Sequence, residues 1–131
     1  MKKILFVCVE NAGRSQMAEA FFRKYAPEKF LVSSAGTKPS TQINPVVVQV
    51  MNEVGIDIEN NIPKHLSNEM LDDSTAVNMG CMDKEVCPAL FVKNVLDWNI
   101  SDPKGKSVEE VRKIRDQIET KVKELIKNLK E

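Results

Sequence analysis

Apolar segments and amphipathic segments alternate along this chain. Four segments combine apolar with β-branched residues, at positions 3–9, 30–36, 74–80 and 94–100. The first is a nearly continuous apolar run, which is typical of a strand buried on both faces of a sheet. Between and after these segments, apolar residues recur every three or four positions, which predicts helices with one buried face. The pattern therefore predicts four strands that alternate with helices.

Residues that commonly begin or end helices mark the first two amphipathic segments. The first helix is predicted over residues 14–26, ahead of Pro27. The second is predicted to begin with Asn44 as its N-cap and Pro45 in its first turn, and to end at Gly55.

Two serines predict where the later helices begin. Ser67 precedes a short segment in which Leu66 and Leu71 can form a hydrophobic staple. Ser107 and Glu110 have the spacing of a capping box at the start of a long helix. That helix carries a single apolar stripe, formed by Val108, Val111, Ile114, Ile118, Val122, Leu125 and Leu129.

Strands that alternate with helices predict an α/β fold with a parallel sheet covered on both faces. We expect one domain over residues 1–131, without an internal repeat or linker. Ligands of such sheets bind beyond the carboxyl ends of the strands. Cys8, Gly36, Cys81 and Asp102 all lie at or just after predicted strand ends, so one rim of the sheet is the expected site.

Composition narrows the class of protein. Of 131 residues, 42% are apolar and 29% charged, and the 19 basic residues balance the 19 acidic ones. This balance argues against a nucleic-acid binder or a membrane-surface protein. We expect a cytoplasmic protein, because no segment resembles a signal peptide or a membrane span. Nothing in the sequence requires more than a monomer.

The three cysteines indicate chemistry or metal binding, because thiols stay reduced in the cytoplasm. Cys8, Cys81, Cys87 and His65 are nominally a zinc ligand set. The gap between Cys81 and Cys87 exceeds the usual spacing of paired zinc ligands, so we predict no metal site. We predict no cofactor either.

The segment "CVENAGRS", residues 8–15, joins the first strand to the first helix. In such a loop the backbone N–H groups and the helix dipole attract an anion, and the guanidinium of Arg14 matches two oxygens of a tetrahedral oxyanion. We expect Gly13 to supply conformational freedom and Asn11 to brace the loop. We expect the carboxylate of Glu10 to face solvent, because an inward acid would repel the anion.

The same groups favour the ionised form of the Cys8 thiol, and Ser15 can donate a further hydrogen bond to it. The loop is therefore suited to hold a tetrahedral oxyanion and to attack its central atom. The alternative is that Cys8 is a buried cysteine at a strand end with no chemical role.

The motifs "CVENAGRSQMAEAFF", "SSAGT" and "DP" resemble the low-molecular-weight tyrosine phosphatase superfamily and, within it, the thioredoxin-coupled arsenate reductases. The resemblance implies a three-layer α/β sandwich with a four-stranded parallel sheet. It implies that Cys8 is the nucleophile and that Asp102 is the general acid. The implied oxyanion-binding residues are Val9, Glu10, Asn11, Ala12, Gly13, Arg14 and Ser15.

Two further cysteines distinguish a reductase from a phosphatase. Cys81 and Cys87 match the two resolving thiols of the reductases, which pass oxidation from the nucleophile to thioredoxin or a related dithiol protein. The expected function is therefore the reduction of arsenate to arsenite. A tyrosine phosphatase is the alternative, although "ISDPKGK" offers no aromatic residue to flank a phosphotyrosine ring. A third possibility is a thiol sensor that does not turn over.

Some relatives bind potassium beside the oxyanion loop. Asn11, Glu19 and Ser34 match part of that site, but Lys64 stands where a carboxylate would complete it. Because its ammonium can replace the cation, we predict no potassium ion. A solvated position on the helix is the alternative for Glu19.

Overall fold

The computed structural model describes residues 2–26, 29–71, 74–79, 95–98 and 100–129. Its strands are β1 (Lys2–Cys8), β2 (Phe30–Gly36), β3 (Ser74–Asn78) and β4 (Val95–Asp97). Its helices are α1 (Arg14–Tyr25), α2 (Pro45–Glu53), α3 (Asn68–Leu71) and α4 (Val108–Leu129). Within the described residues, no helix combines the length and the apolar composition needed to cross a membrane.

The four strands form one parallel sheet in the order β2-β1-β3-β4, which confirms the predicted fold class. The last two strands are shorter than predicted, because β3 ends at Asn78 and β4 covers only Val95–Asp97. The N–H of Trp98 still bonds to the carbonyl of Asn78, but the N–H of Ile100 turns back to Trp98. The chain therefore leaves the sheet two residues before the predicted end of the strand.

The side chains of β1 alternate between two apolar layers. Ile4, Phe6 and Cys8 lie in the larger core with residues of α1, α2 and α4. Leu5 and Val7 point to the opposite face. There they contact a smaller cluster that Met70 of α3 partly covers, together with Ala35, Leu66 and Ala76. The sheet thus lies between two layers, and Cys8 belongs to the side that α1 and α4 cover.

The predicted signals at Asn44, at Gly55 and at Ser107 with Glu110 act as expected. Asn44 Oδ1 accepts a 2.9 Å hydrogen bond from the N–H of Val46. Gly55 follows α2 with φ +81°, a conformation that glycine adopts without steric cost. Ser107 and Glu110 form a reciprocal capping box, with 3.1–3.2 Å bonds between the N–H of each residue and the side chain of the other.

Arg115 lies among the apolar side chains of α4, which the periodicity did not predict. Arg115 is only 8% exposed. Its guanidinium donates 2.9 Å hydrogen bonds to the carbonyl of Val50 and to Glu53 Oε1. Arg112 binds the same carboxylate. Because its NH1 group binds two acceptors of α2 and its Nε binds Asp116, the buried charge is compensated and links α2 to α4.

We predict that Ser107→Ala lowers the free energy of unfolding by about 1 kcal/mol, because it removes the hydroxyl that caps α4. Denaturant titration of the purified protein measures this change. Ser67→Ala is the matched control, since that hydroxyl lies 3.4 Å from the N–H of Met70 and caps only a four-residue helix. Equal losses for both variants would contradict the prediction.

Candidate active site

Cys8 lies at the carboxyl end of β1 and is 2% exposed. Its Sγ accepts a 3.2 Å hydrogen bond from the N–H of Asn11 and lies 2.9 Å from the hydroxyl of Ser15. The sulfur atom is thus in contact with one backbone N–H group and one hydroxyl group.

The loop from Cys8 to Gly13 turns its carbonyl groups away from the sulfur atom. Four of these carbonyls accept hydrogen bonds from N–H groups of the segment 37–44, which follows β2. The side of the loop that carries the Asn11 N–H, its amide edge, therefore faces Cys8, and this arrangement suits an anion. The bonds run from Thr37 to Cys8 (3.2 Å), from Lys38 to Val9 (2.8 Å), from Ser40 to Glu10 (2.9 Å) and from Asn44 to Ala12 (2.9 Å).

Asn11 braces the loop from within. It has φ 52°, the left-handed conformation that asparagine tolerates better than most residues. Its Nδ2 donates to Ser15 Oγ (2.6 Å), and its Oδ1 accepts from Gln16 Nε2 (2.9 Å) and from the N–H of Lys64 (2.8 Å). The hydroxyl that contacts Cys8 is thereby tied to a buried polar network. The sequence indicated Asn11, whereas the contribution of Gln16 emerges only in three dimensions.

Gly13 and Gly36 lie where the surrounding atoms leave no room for a side chain. A Cβ atom on Gly13 would lie 2.8 Å from Pro103 Cγ, and one on Gly36 would lie 2.4 Å from the carbonyl oxygen of Val9. Gly13 has φ −146° and ψ −89°, so it does not adopt the left-handed conformation. The left-handed residue of the loop is Asn11.

Arg14 and Asp102 meet above the loop. Arg14 is 7% exposed, and its NH1 donates a 3.1 Å bond to the carbonyl of Ile100. Its NH2 lies 3.7 Å from Asp102 Oδ2. Asp102 is half exposed, and its Oδ1 accepts a 3.0 Å bond from the N–H of Lys104. The guanidinium and a carboxyl group that can exchange protons with water thus share one side of the site.

A small cavity opens between the two loops. Cys8 lies in it together with residues of both loops and of the α2 N-terminus; its other lining residues are Glu10, Ala12, Gly13, Arg14, Asn44, Asp102, Pro103 and Lys104. None of the described residues that line it is aromatic. Such a cavity can accept a tetrahedral oxyanion against the amide edge and Arg14, with a nucleophile beneath it and a proton donor beside it.

Glu10 is one of the residues that line this cavity, and its side chain is 39% exposed. Its Oε2 lies 3.0 Å from Lys104 Nζ, and this pairing offsets part of the repulsion that the acid would exert on an anion. The hydrogen bond with Glu10 raises the pKa of Lys104, and the charge of Asp102 adds a smaller effect in the same direction. Lys104 therefore remains protonated at neutral pH.

Glu19 is 8% exposed and is not a solvated helix residue. Its carboxylate accepts from Ser34 Oγ (2.5 Å) and pairs with Arg23 (2.7 Å) and Lys64 (3.8 Å). Two basic side chains of the chain itself thus neutralise this carboxylate. Arg23, which the sequence analysis did not indicate, lies closer to it than Lys64 does. A groove of about 740 Å³ runs alongside this cluster, and Glu19, Arg23 and Lys64 line it.

Cys81 and Cys87 lie outside the described residues. His65 is exposed, and its Nδ1 lies 2.8 Å from the carbonyl oxygen of Leu66. Among the described side chains, no group of three or more His, Cys, Asp or Glu residues could hold a metal ion. Of the predicted site residues, the structure therefore brings Cys8, the loop 9–15 and Asp102 together.

The model of the low molecular weight phosphotyrosine protein phosphatase family matches residues 3–131 of this chain. The chain belongs to that family. Among curated relatives, it is 37% identical over 128 residues to a glutaredoxin arsenate reductase from Synechocystis, covering 96% of this chain and 97% of that protein. It is 38% identical over 130 residues to arsenate reductase 2 from Staphylococcus saprophyticus, covering 97% and 98%.

Solved structures give the same fold. The chain matches a thioredoxin-dependent arsenate reductase from Corynebacterium glutamicum with a TM-score of 0.80 and 36% identity, over 98% of this chain and 61% of that one. It matches an arsenate reductase in the phosphate-binding state with a TM-score of 0.87 and 33% identity, over 99% and 100%. An arginine phosphatase from Geobacillus stearothermophilus matches with a TM-score of 0.83 and 26% identity, over 98% and 93%.

We predict that Gly36→Ala destabilises the protein by about 1–3 kcal/mol, because the added methyl group would overlap backbone atoms of Val9 and Asn11. The displaced Asn11 N–H would also leave Cys8 less reactive. Denaturant titration measures the stability, and peptide mass analysis after brief treatment with iodoacetamide measures alkylation at Cys8. Gly55→Ala is the control, because a Cβ atom there has no neighbour within 4 Å, so its cost comes only from the positive φ and alkylation at Cys8 should not change. Unchanged stability and alkylation of the Gly36 variant would contradict the prediction.

Proposed function

We propose that this protein is a cytoplasmic arsenate reductase that takes electrons from thioredoxin or a related dithiol protein. The observation that carries the proposal is the cavity in which Cys8 faces the amide edge of its loop, with Arg14 and Asp102 beside it. The names of its relatives support arsenate as the substrate. Arsenate and phosphate have nearly the same shape and charge, so the cavity by itself suits either anion.

In the first step, the Cys8 thiolate attacks the arsenic atom of arsenate. An S–As bond forms, one As–O bond breaks, and the oxygen leaves as water after it takes a proton from Asp102. The loop amides and Arg14 stabilise the charge on the remaining oxygens. Ser15 releases its hydrogen bond to the sulfur atom as the negative charge leaves Cys8.

In the second step, Cys81 attacks Cys8 Sγ and the electron pair of the S–As bond passes to arsenic, which leaves as arsenite. Cys87 then attacks Cys81, which frees Cys8 and forms a Cys81–Cys87 disulfide. An external dithiol reduces this disulfide by exchange. Each cycle thus moves two electrons from the dithiol to arsenic. Because Cys8 is buried, a resolving pair elsewhere on the chain gives the external reductant access.

A phosphatase is the second candidate, favoured by the family and by the likeness to an arginine phosphatase. Its first step would use the same Cys8, Arg14 and Asp102. We therefore expect residual activity toward small aryl phosphates. The lack of aromatic residues among the described lining residues argues against phosphotyrosine as the main substrate.

We predict that reduced protein mixed with one equivalent of arsenate, then quenched by alkylation, contains a Cys81–Cys87 disulfide and a free Cys8. Peptide mass analysis locates the bonds. The Cys87→Ser variant should instead accumulate a Cys8–Cys81 disulfide, because the second exchange is blocked. Three free thiols in protein that binds arsenate would rule out the reductase and leave the phosphatase.

We predict that Asp102→Asn slows formation of the Cys8–arsenic bond by about 10² to 10⁴, because the leaving oxygen loses its proton donor. Single-turnover release of arsenite measures this rate. Asp57→Asn is the matched control, since Asp57 Oδ1 accepts from the N–H two residues further on, as Asp102 Oδ1 does. A rate for Asp102→Asn equal to that of the control would overturn the assignment.

A further inference from the structure

The rim of the catalytic cavity carries an ion pair that the chemistry described above does not use. Glu10 extends from the oxyanion loop and Lys104 from the loop of Asp102, and Glu10 Oε2 lies 3.0 Å from Lys104 Nζ. Both side chains line the cavity. They are 39% and 70% exposed, so water screens their attraction and the pair can exchange partners readily.

The size of the cavity brings a bound oxyanion to this rim. The enclosed space above Cys8 is about 20 Å³, roughly the room that one water molecule needs. Arsenate and phosphate each carry four oxygens around a central atom. An oxyanion seated on the loop amides therefore extends toward the rim of the cavity, which Glu10 and Lys104 line.

The side chains around the cavity carry no net positive charge to balance a bound dianion. Arg14 lies 3.7 Å from Asp102, and Lys104 is paired with Glu10, so two cations face two carboxylates before the Cys8 thiolate is counted. Lys104 is well placed to change partner, because its own N–H bonds to Asp102 Oδ1 and keeps the residue beside the cavity.

We propose that Lys104 is an oxyanion-binding residue and that Glu10 weakens its hold on the anion. The proposal rests on the proposed oxyanion site and adds two residues that set its affinity. In the free protein the ammonium pairs with Glu10. When an oxyanion binds, the ammonium turns to its outer oxygens, and Glu10 opposes this by attracting Lys104 and repelling the anion.

A purely structural role for the pair makes a different prediction. If the pair only fastened one loop to the other, loss of either side chain would loosen the site, and both substitutions would weaken binding. If the charges act on the anion, the two substitutions have effects of opposite sign. Neither glutamine variant alters the Lys104 N–H that bonds to Asp102.

The test is the dissociation constant of inorganic phosphate, measured by calorimetry at low salt for the wild type and three variants. We expect Glu10→Gln to tighten binding about threefold to tenfold and Lys104→Gln to weaken it by a similar factor, as for one unit charge a few ångströms away in a water-like medium. The double variant should lie between them. These differences should shrink in 1 M salt, which screens exposed charges.

Lys106→Gln is the matched control, because Lys106 lies in the same loop but does not line the cavity. It should leave phosphate binding unchanged. In arsenate turnover, Lys104→Gln should raise KM more than it lowers kcat. Weaker or unchanged binding by Glu10→Gln, with a wild type that binds phosphate, would overturn this inference and leave the proposed function intact. A wild type that binds neither phosphate nor arsenate would overturn both.

Discussion

The site depends on four hydrogen bonds that hold the carbonyl group of Cys8 and three carbonyl groups of the following loop against the segment 37–44. A loop of this kind can present either its N–H or its C=O edge to the strand end, and only the N–H edge attracts an anion. The segment 37–44 decides the choice, because its amides bind the outer carbonyls. Gly36 makes the approach possible, since any side chain there would overlap the backbone of Val9.

Charge is distributed at the cavity so that each acid meets a base. Arg14 lies beside Asp102 and Lys104 beside Glu10, and the thiol at the base of the cavity adds an ionisable group between them. The chain as a whole is neutral, so the field that receives an oxyanion comes from these local pairs and from oriented amides. Small shifts of exposed side chains can therefore adjust affinity without disturbing the buried network behind Cys8.

The polar network around Asn11 links Cys8 to a second part of the surface. Asn11 contacts Ser15 on one side and Gln16 on the other, and Gln16 Oε1 accepts a 3.1 Å bond from Asn61. Buried polar chains of this kind give a single geometry because each member has a partner. The nearby Glu19 is neutralised by Arg23 and Lys64, which keeps its charge from disturbing the network.

The sequence by itself determined the order and type of the elements, the helix caps and the position of Cys8 and Arg14 at one strand end, because these follow from local periodicity and short spacings. Only the tertiary structure decided which edge of the oxyanion loop faces the thiol, why Gly13 must be small and where the Glu10 carboxylate lies. These properties depend on contacts with the segment 37–44, Pro103 and Lys104, which are distant in sequence. The spacing of hydrophobic residues indicates which face of a single helix or strand is buried. A binding site instead forms where loops that are distant in sequence come together.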